Sequence, residues 1–398
     1  MEDNSNVLVT YSWNRVGYNV LRSLSKRQIK VIVGDAHKLA MSRYSKYKHA
    51  FFQYPSFYQN PRDFIDVLIK VAEEYSASVY LPVHEETFIA SKYKDKLKSA
   101  GITTPVSDFD VLERLHKKER LFETCTELGI PTPQIRKVSD VAYLEHIFEK
   151  VIFPVVVKFD QTNSAKGVHY IHTREDAVSQ YLSMIKKEGK YPFLQEYVEG
   201  VGYGVSLLMN KGEVRAVFTH KRLREKTYTG GTSTVRVSVK NPILEEYAVA
   251  LLSKLKFHGV AMVEFKYNEK TNKAFIIDVN PRFWGSLALA IHAGVDFPYL
   301  LFKMARDGDV IPVLDYREGV TVKWVLGDVL ALLSEVVHTK KIFTSIKNFL
   351  SQKVDGYDDL YKDDLLPFLF ESIYYFSKFL ATRSVNPSQE AMLDIDSI

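Results

Sequence analysis

The stretch from Gly259 to Gly285 constrains the fold of this chain most, because it has the pattern of a β-hairpin with one apolar face. Its strands are predicted at Val260–Tyr267 and Ala274–Val279, joined by a polar turn at Asn268–Lys273. Symmetry about Thr271 predicts two apolar cross-strand pairs: Phe265 with Ile277, and Val263 with Val279. Such a hairpin needs the rest of a half-buried sheet against which its apolar face can pack.

The same register places Glu264 opposite Asp278 on the other face, with Asn280 and Arg282 following on that side. Facing carboxylates roughly 5 Å apart repel by about 3 kcal/mol at an effective dielectric near 20. A hard divalent cation takes carboxylate and amide oxygens together with phosphates. We therefore predict a magnesium–phosphate site whose metal ligands are Glu264, Asp278 and Asn280, with Mn²⁺ as an alternative metal. The competing interpretation is a solvated hairpin whose acids point into water or pair with Lys266.

Composition excludes several classes of protein. The 398 residues carry a formal net charge of +5, and Lys and Arg are dispersed, so we expect no nucleic-acid partner. The single cysteine, Cys125, fits a reducing compartment. We expect neither a signal peptide nor a spanning helix, and a cytoplasmic location follows. For the aromatic segment Leu365–Leu380 we favour packing against the main body over membrane association.

Residues 6–115 alternate strand-like and helix-like segments, which predicts a parallel sheet wrapped by helices. Ligands of such sheets bind at the carboxyl ends of the strands, where Glu85 is a candidate substrate contact. The first turn, Tyr11–Gly17, has only one glycine, so a backbone approach to a dinucleotide pyrophosphate is disfavoured. A nicotinamide-dependent oxidoreductase is accordingly a weak alternative.

Cationic side chains emerge at two later strand ends. Lys158 ends the apolar run PVVVKF, and a lysine in that place usually has an anionic partner. The small, polar loop 160–167 that follows could fold over phosphates. Arg222 and Arg224 precede the loop that contains Gly230, Gly231 and Thr232, a combination that suits a carboxylate or phosphate substrate. An exposed, charged strand end is an equally good interpretation of that hairpin.

These motifs, taken in order, resemble the ATP-grasp superfamily over roughly residues 1–310. The strings RLRE, GGTST, AMVEFK and NPRFWGSL are similar to those of predicted carboxylate–amine ligases related to carbamoyl-phosphate synthase. The resemblance implies a mixed α/β and α+β fold. It comprises an N-terminal parallel-sheet (pre-ATP-grasp) domain at 1–115, an ATP-grasp domain at 116–309 with a lid subdomain at about 125–195, and a mostly helical extension at 310–398.

The resemblance also assigns roles to individual residues. For ATP these are Lys118 and Lys158 on phosphates, Ser164, Lys166 and Gly167 in the phosphate lid, and Gln195, Glu196, Val198 and Glu199 in the adenine hinge QEYVEG. Glu264, Asp278 and Asn280 match the magnesium ligands, and Arg282 matches the arginine on phosphate or acylphosphate. The sequence departs from the family at Gly202, where many members have an acid that binds ribose.

The implied chemistry is ATP-dependent activation of a carboxylate as an acylphosphate, which an amine captures to form a C–N bond with release of ADP and phosphate. Lys158, Asn280 and Arg282 are the catalytic candidates. A variant that uses bicarbonate or carbamate, and an ATP-binding regulatory module without ligase activity, are the alternatives. The expected partners are a small carboxylate and a small amine, with a homodimer as one option.

Overall fold

The computed structural model describes residues 6–159, 168–227, 230–339, 342–382 and 393–398. The predicted lid residues Ser164, Lys166 and Gly167 lie outside these described residues. In the part that is described, the chain forms three sheets with helices around them.

The N-terminal sheet has the order β3-β2-β1-β4, and all of its described strand pairs are parallel. Its elements are β1 Asn6–Val9, α1 Arg15–Ser25, β2 Lys30–Asp35, β3 Ala50–Gln53, α2 Pro61–Glu74, β4 Ala77–Leu81, α3 Glu86–Lys92, α4 Lys94–Ser99 and α5 Phe109–His116. Strand residues such as Leu8 and Ile32 are fully buried, as expected of a parallel sheet covered on both faces. The predicted parallel sheet is confirmed.

The second sheet is small and antiparallel, with the order β5-β8-β6-β7. Its region contains α6 Lys118–Glu127, β5 Ile135–Arg136, α7 Leu144–Glu149, β6 Val155–Lys158, β7 His169–Ile171, α8 Ala177–Glu188 and β8 Phe193–Glu196. The chain is extended at Lys117, which separates α5 from α6. This break places Lys118 in the first turn of α6.

The third sheet is the largest and has the order β13-β12-β9-β10-β11-β14-β15. It and its helices comprise β9 Val201–Asn210, β10 Glu213–Thr227, β11 Gly230–Ser238, α9 Pro242–Lys254, β12 Gly259–Asn268, β13 Lys273–Asn280, α10 Leu287–Ala293, α11 Phe297–Asp307, β14 Thr321–Lys323, α12 Val325–Thr339, α13 Ile342–Ser351, β15 Gly356–Tyr357 and α14 Leu366–Thr382. The long strands β9 and β10 put the hairpin of β12 and β13 on one side and the C-terminal strands on the other.

The C-terminal segment is mostly helical, as predicted, but it also completes the large sheet through β14 and β15. Asp358, directly after β15, accepts hydrogen bonds from Arg236 of β11 at 2.7 and 2.6 Å and from Arg15 of α1 at 3.3 Å. One buried carboxylate thus joins three distant parts of the chain. The division into 1–115, 116–309 and 310–398 stays a prediction.

The helix α14 packs one face against the N-terminal part, where Tyr374 is 2% exposed and Glu371 is fully buried. Among the described residues, no single helix has both the length and the apolar composition to span a membrane. The helix pair Leu287–Ala293 and Phe297–Asp307 meets those criteria jointly, with a bend of 88° between its two helices.

Candidate active site

The hairpin of β12 and β13 brings two acidic side chains together, as the sequence predicts. Glu264 lies opposite Asp278, and Val263 lies opposite Val279 on the buried face. The side chains of Glu264 and Asp278 are 18% and 33% exposed, so water screens their repulsion only in part. The predicted cross-strand pair of carboxylates is confirmed.

One detail of the predicted register is wrong. The ladder shifts by one residue after Glu264, so Phe265 pairs with Ile276 rather than with Ile277. This is a β-bulge, in which one strand has two residues opposite a single residue of its partner. Phe265 and Ile276 are fully buried, whereas Ile277 is only partly so. The bulge keeps apolar side chains on the core face beyond the acidic pair.

Two basic side chains neutralise the acidic pair. The ammonium of Lys118 donates a hydrogen bond to Oδ1 of Asp278, and the guanidinium of Arg222 donates to Oε2 of Glu264. The amide nitrogen of Asn280 donates to Oε1 of Glu264 at 3.0 Å. Each carboxylate therefore has a cation of its own, and a metal ion would replace or join these partners.

Lys158, at the end of β6, points its ammonium toward this group and donates to Oε1 of Gln195 at 3.1 Å. Burial lowers the pKa of Lys158 to about 8, and the nearby charge of Lys118 acts in the same direction. Burial would raise the pKa of Asp278, but the ammonium of Lys118 outweighs it and, with Lys158, holds that pKa below its ordinary value. A phosphate group would stabilise both ammonium groups.

Arg282 follows the hairpin and carries its charge toward the carboxyl end of the N-terminal sheet. Its guanidinium donates to the carbonyl oxygen of Phe283 at 2.9 Å. Burial lowers the pKa of His84 well below its ordinary value, and the charge of Arg282 lowers it further. Burial likewise lowers the pKa of His116 to about 4, with a further contribution from Lys118. Two neutral imidazoles therefore border the site.

Neither histidine was predicted from the sequence as a site residue. His84 lies in the loop after β4 that was selected for Glu85, so its position at a parallel strand end was the available signal. His116 ends α5, two residues before Lys118. A lone histidine on a helix gives no signal of this kind, because its neighbours come from β13 and the following segment.

Gly202 is explained by the path of Arg222. A Cβ atom placed on Gly202 would lie 2.8 Å from Cδ of Arg222, which is closer than two carbon atoms can approach. The missing side chain leaves room for the arginine to cross β9 and reach Glu264. In similar sequences this position carries an acid that binds ribose, whereas here the side chain of Arg222 passes over it.

The predicted adenine hinge lies on β8 and just after it. Gln195 and Val198 are buried, whereas Glu196 and Glu199 are exposed. The backbone N–H of Glu196 donates to the carbonyl oxygen of Gln134 at 2.8 Å, and its carboxylate accepts from the N–H of Gln134 at 3.0 Å. Glu196 is thereby tied to the neighbouring segment, so Gln195 and Val198 are the hinge candidates that face the interior.

The predicted substrate residues fall into separate places. Arg224 donates to both carboxylate oxygens of Asp328, at 2.9 and 2.8 Å. Glu85 is buried and accepts from the backbone N–H of Leu393 at 3.2 Å. Both side chains therefore have protein partners that connect them to the C-terminal segment.

The glycine-rich stretch Gly230, Gly231 and Thr232 opens β11. A Cβ atom on Gly285 would lie 3.8 Å from Cγ2 of Thr232. This stretch therefore approaches the segment that follows Arg282, the residue predicted to bind phosphate or acylphosphate.

A small cavity beside Arg282 lies between the segments that follow the N-terminal sheet and the two ends of the hairpin. Residues from both parts line it, among them Pro82, Thr87, Val106, His258 and Arg282. Its free volume of about 10 Å³ is the size of one water molecule.

The donor set fits magnesium. No three His, Cys, Asp or Glu side chains cluster as a metal site in the parts of the chain that are described. The predicted set has two carboxylates, Glu264 and Asp278, and the amide of Asn280. Magnesium characteristically binds through one or two carboxylates and completes its shell with water and phosphate.

Solved structures show which class of fold this is. A biotin carboxylase in complex with β,γ-ATP from Campylobacter jejuni is similar with a TM-score of 0.65 and 14% identity, covering 79% of this chain and 74% of that one. N5-carboxyaminoimidazole synthetase from Staphylococcus aureus, complexed with ADP, is similar with a TM-score of 0.63 and 15% identity, covering 80% of each chain. The fold is that of the ATP-grasp enzymes.

Sequence comparison agrees. A family model described as ATP-grasp in the biosynthetic pathway with Ter operon matches residues 190–327. The C-terminal section of the carbamoyl phosphate synthase large chain from Methanopyrus kandleri is 21% identical over 199 residues, which is 47% of this chain and 36% of that protein. The ATP-grasp resemblance, including its similarity to carbamoyl-phosphate synthase, is confirmed. These similarities support the prediction that the chain is an enzyme.

The matched part is small relative to the curated proteins. The chain spans between 12% and 36% of the length of five curated relatives that it matches.

Proposed function

We propose that this protein is an ATP- and magnesium-dependent ligase that activates a carboxylate as an acylphosphate and passes it to an amine. The observation that carries the proposal is the acidic pair Glu264 and Asp278, held by Arg222 and Lys118 next to Lys158. A cross-strand pair of carboxylates beside buried ammonium groups suits a metal–triphosphate complex, since it offers both charges that such a complex needs.

The acidic and the basic residues of the site would bind different parts of the metal–nucleotide complex. Glu264, Asp278 and Asn280 would hold magnesium, which when bound supplies positive charge to the β- and γ-phosphates. Lys118 and Lys158 would bind phosphate oxygens and stabilise the negative charge that develops during transfer. Gln195 and Val198 would line the adenine site.

Arg282 would orient the transferred group. Its position near the carboxyl ends of the N-terminal strands would let its guanidinium contact the acylphosphate, with the carboxylate entering from those strand ends. The neutral imidazoles of His84 and His116 add no charge to this end of the site. An amine then attacks the acyl carbon, phosphate leaves and an amide forms. A small-molecule acid and amine, a cytoplasmic location and a homodimer belong to the same proposal.

The experiment is a substrate screen that measures ADP release and product mass together. Purified protein with ATP and MgCl₂ is assayed with pooled carboxylic acids, with and without pooled amines, and with bicarbonate as a separate arm. We expect ADP release that requires an acid, and an amide product when an amine is present. Bicarbonate-dependent release without an organic acid would favour the carboxylase-like variant. ATP–Mg binding with no turnover in any arm would contradict the proposal and favour a regulatory module.

A further inference from the structure

The inner face of α14 forms an aromatic cluster with residues from two other parts of the chain. The ring of Tyr374 lies 5.1 Å from that of Trp13, and the ring of Tyr375 lies 6.3 Å from Trp13 and 6.2 Å from Trp324. Trp13 follows β1, and Trp324 follows β14. The three segments therefore meet at the carboxyl end of the N-terminal sheet, where such sheets bind ligands.

Glu371 lies on the same helix, three and four residues before Tyr374 and Tyr375, and so shares their face. It is fully buried. In the part of the chain that the structure describes, neither of its carboxylate oxygens has a hydrogen-bond partner, and the indole N–H groups of Trp13 and Trp324 have none either. Buried polar groups without partners are rare, and an ionised one is costly.

The neighbouring buried acids are different. Asp358 receives hydrogen bonds from Arg236 and Arg15. Asp359 accepts the backbone N–H groups of Val325 and Leu326, each at 3.0 Å. Asp358 and Asp359 thus have hydrogen-bond donors, whereas the buried carboxylate of Glu371 has none among the described residues.

The chemistry of the cluster selects a cation. Aromatic faces attract ammonium groups, and the ammonium of Lys226 already lies 5.5 Å from the ring centres of both Trp324 and Tyr375. Burial raises the pKa of Glu371 well above its ordinary value, and the charge of Asp359 raises it further. An additional ammonium group would let Glu371 ionise and would supply the hydrogen bonds that its oxygens lack.

The cluster adjoins the proposed reaction centre. The guanidinium of Arg15 lies 3.7 Å from the ring centre of Trp324, and its Nη2 atom is 3.0 Å from where a Cβ atom of Gly285 would be. Gly285 is three residues after Arg282 and also approaches Thr232. A small ligand at Glu371 would therefore lie on the substrate side of the site.

We propose that Glu371, with Trp13, Trp324 and Tyr375, binds a primary ammonium group of a substrate. The identity of this ligand as a substrate rests on the proposed function, whereas the site itself is defined by the unpartnered carboxylate and the aromatic faces. It assigns the C-terminal segment a part in substrate choice: acids or amines that carry an ammonium group are preferred over uncharged analogues.

The test uses tryptophan fluorescence of the full chain. The sequence has three tryptophans; Trp13 and Trp324 belong to the cluster, and Trp284 packs instead on Phe297. The probe is n-butylammonium at pH 7, with n-butanol as its uncharged analogue and butyrate as an anion. We expect saturable binding of butylammonium, at least about tenfold weaker in Glu371→Gln, which loses the charge-assisted hydrogen bonds.

Glu245→Gln is the matched control, because Glu245 is a half-buried glutamate that accepts from Thr219 and Tyr316 elsewhere on the large sheet. It should bind butylammonium as the native protein does. Equal binding by native protein and Glu371→Gln, no response to butylammonium, or tighter binding of butyrate or butanol would each overturn the proposal. If Glu371→Gln does not fold, the three probes on the native protein still decide.

ADP–Mg binding is measured in the same samples and separates the two proposals. If the native protein binds ADP–Mg but does not respond to butylammonium, the ammonium site is contradicted and the ligase proposal is unaffected. Butylammonium binding without ATP turnover would leave the ammonium site standing and remove the ligase.

Discussion

The ammonium of Lys118 donates a hydrogen bond to Oδ1 of Asp278, and Asp278 is one of the three residues expected to bind magnesium. The two residues are 160 positions apart in the chain and meet because α6 begins beside the end of β13. The lysine therefore performs in the free protein part of the neutralisation that a metal ion would perform. We expect ATP–Mg binding to transfer this ammonium from the carboxylate to a phosphate.

Replacing Lys118 tests that exchange. Lys118→Met should lower kcat for ADP formation by about 100-fold or more, because a positive charge aimed at the transferred phosphoryl group is lost. The matched control is Lys117→Met. The ammonium of Lys117 pairs with Glu113 at 2.8 Å and with Asp396 at 2.7 Å, and it makes no contact with the acidic pair. Steady-state kinetics with coupled ADP detection measures both. Equal activity of the two variants would contradict a phosphate role for Lys118.

The close approach of Gly202 and Arg222 predicts a change in metal affinity. Gly202→Ala should displace Arg222 from Glu264, because the new Cβ atom would be 2.8 Å from Cδ of the arginine. A carboxylate freed from a competing cation should bind Mg²⁺ more tightly, by roughly threefold to tenfold. Isothermal titration with Mg²⁺ in the presence of ADP measures this affinity.

A double-mutant cycle provides the control for that substitution. In an Arg222→Ala background the alanine at position 202 has no guanidinium stem to displace, so Gly202→Ala should then leave the Mg²⁺ affinity unchanged. An effect of the same size in both backgrounds would show that the glycine acts through the backbone rather than through the arginine.

The depressed pKa of Lys158 predicts proton uptake on nucleotide binding. With its pKa at about 8, Lys158 is mostly neutral in the free protein at pH 9. A bound phosphate favours the charged form, so ADP–Mg should bind with uptake of close to one proton there, and its affinity should fall as pH rises through 8. Titration calorimetry in two buffers of different ionisation enthalpy measures the uptake. Lys158→Met should abolish it, and unchanged uptake in that variant would assign the proton elsewhere.

The same group has an opposite effect on the stability of the free protein. Because the folded-state pKa of Lys158 lies below that of the unfolded chain, the unfolded state binds more protons between about pH 8 and 10.4. The contribution of Lys158 to the free energy of unfolding should therefore rise with pH across that window. Urea unfolding of native protein and Lys158→Met at several pH values measures the difference.

The buried carboxylate of Asp358 should dominate the stability of the C-terminal segment. Asp358→Asn leaves the fully buried guanidinium of Arg236 without its counter-charge, which should cost about 3–5 kcal/mol in the free energy of unfolding. Asp315→Asn is the control, since the Asp315 side chain is 89% exposed and pairs with Lys240 in water; it should change stability little. Equal urea midpoints for the two variants would contradict the role of Asp358.

The hairpin could be predicted because its information is local. Strand side chains alternate with a period of two, so the positions of Val263 and Val279 fixed the pairing of Glu264 with Asp278. The bulge at Ile277 could not be foreseen, because it depends on how the apolar side chains of β12 and β13 fit the core. Lys158 was also visible locally, as a charge at the end of an apolar strand.

The counter-charges of the site were much less accessible. Lys118 could be assigned to phosphates only by resemblance, and its contact with Asp278 joins elements that no local pattern connects. Arg222 was expected at a substrate, yet it crosses Gly202 to Glu264, and only the missing side chain at position 202 hinted at that path. The aromatic residues around Glu371 predicted that its helix packs on the main body. They could not predict the contacts with Trp13 and Trp324, because both tryptophans are distant in sequence.

The link between Arg236 and Asp358 has a consequence for synthesis of the protein. The two residues are separated by 122 positions, so at translation rates of 5–20 residues per second Asp358 is synthesised roughly 6 to 24 s after Arg236. Until β14 has been synthesised, β11 is an open sheet edge that carries a guanidinium destined for the interior. The large sheet is therefore completed only after β14 and β15 have been synthesised, and a chaperone that shields the edge of β11 would act before then.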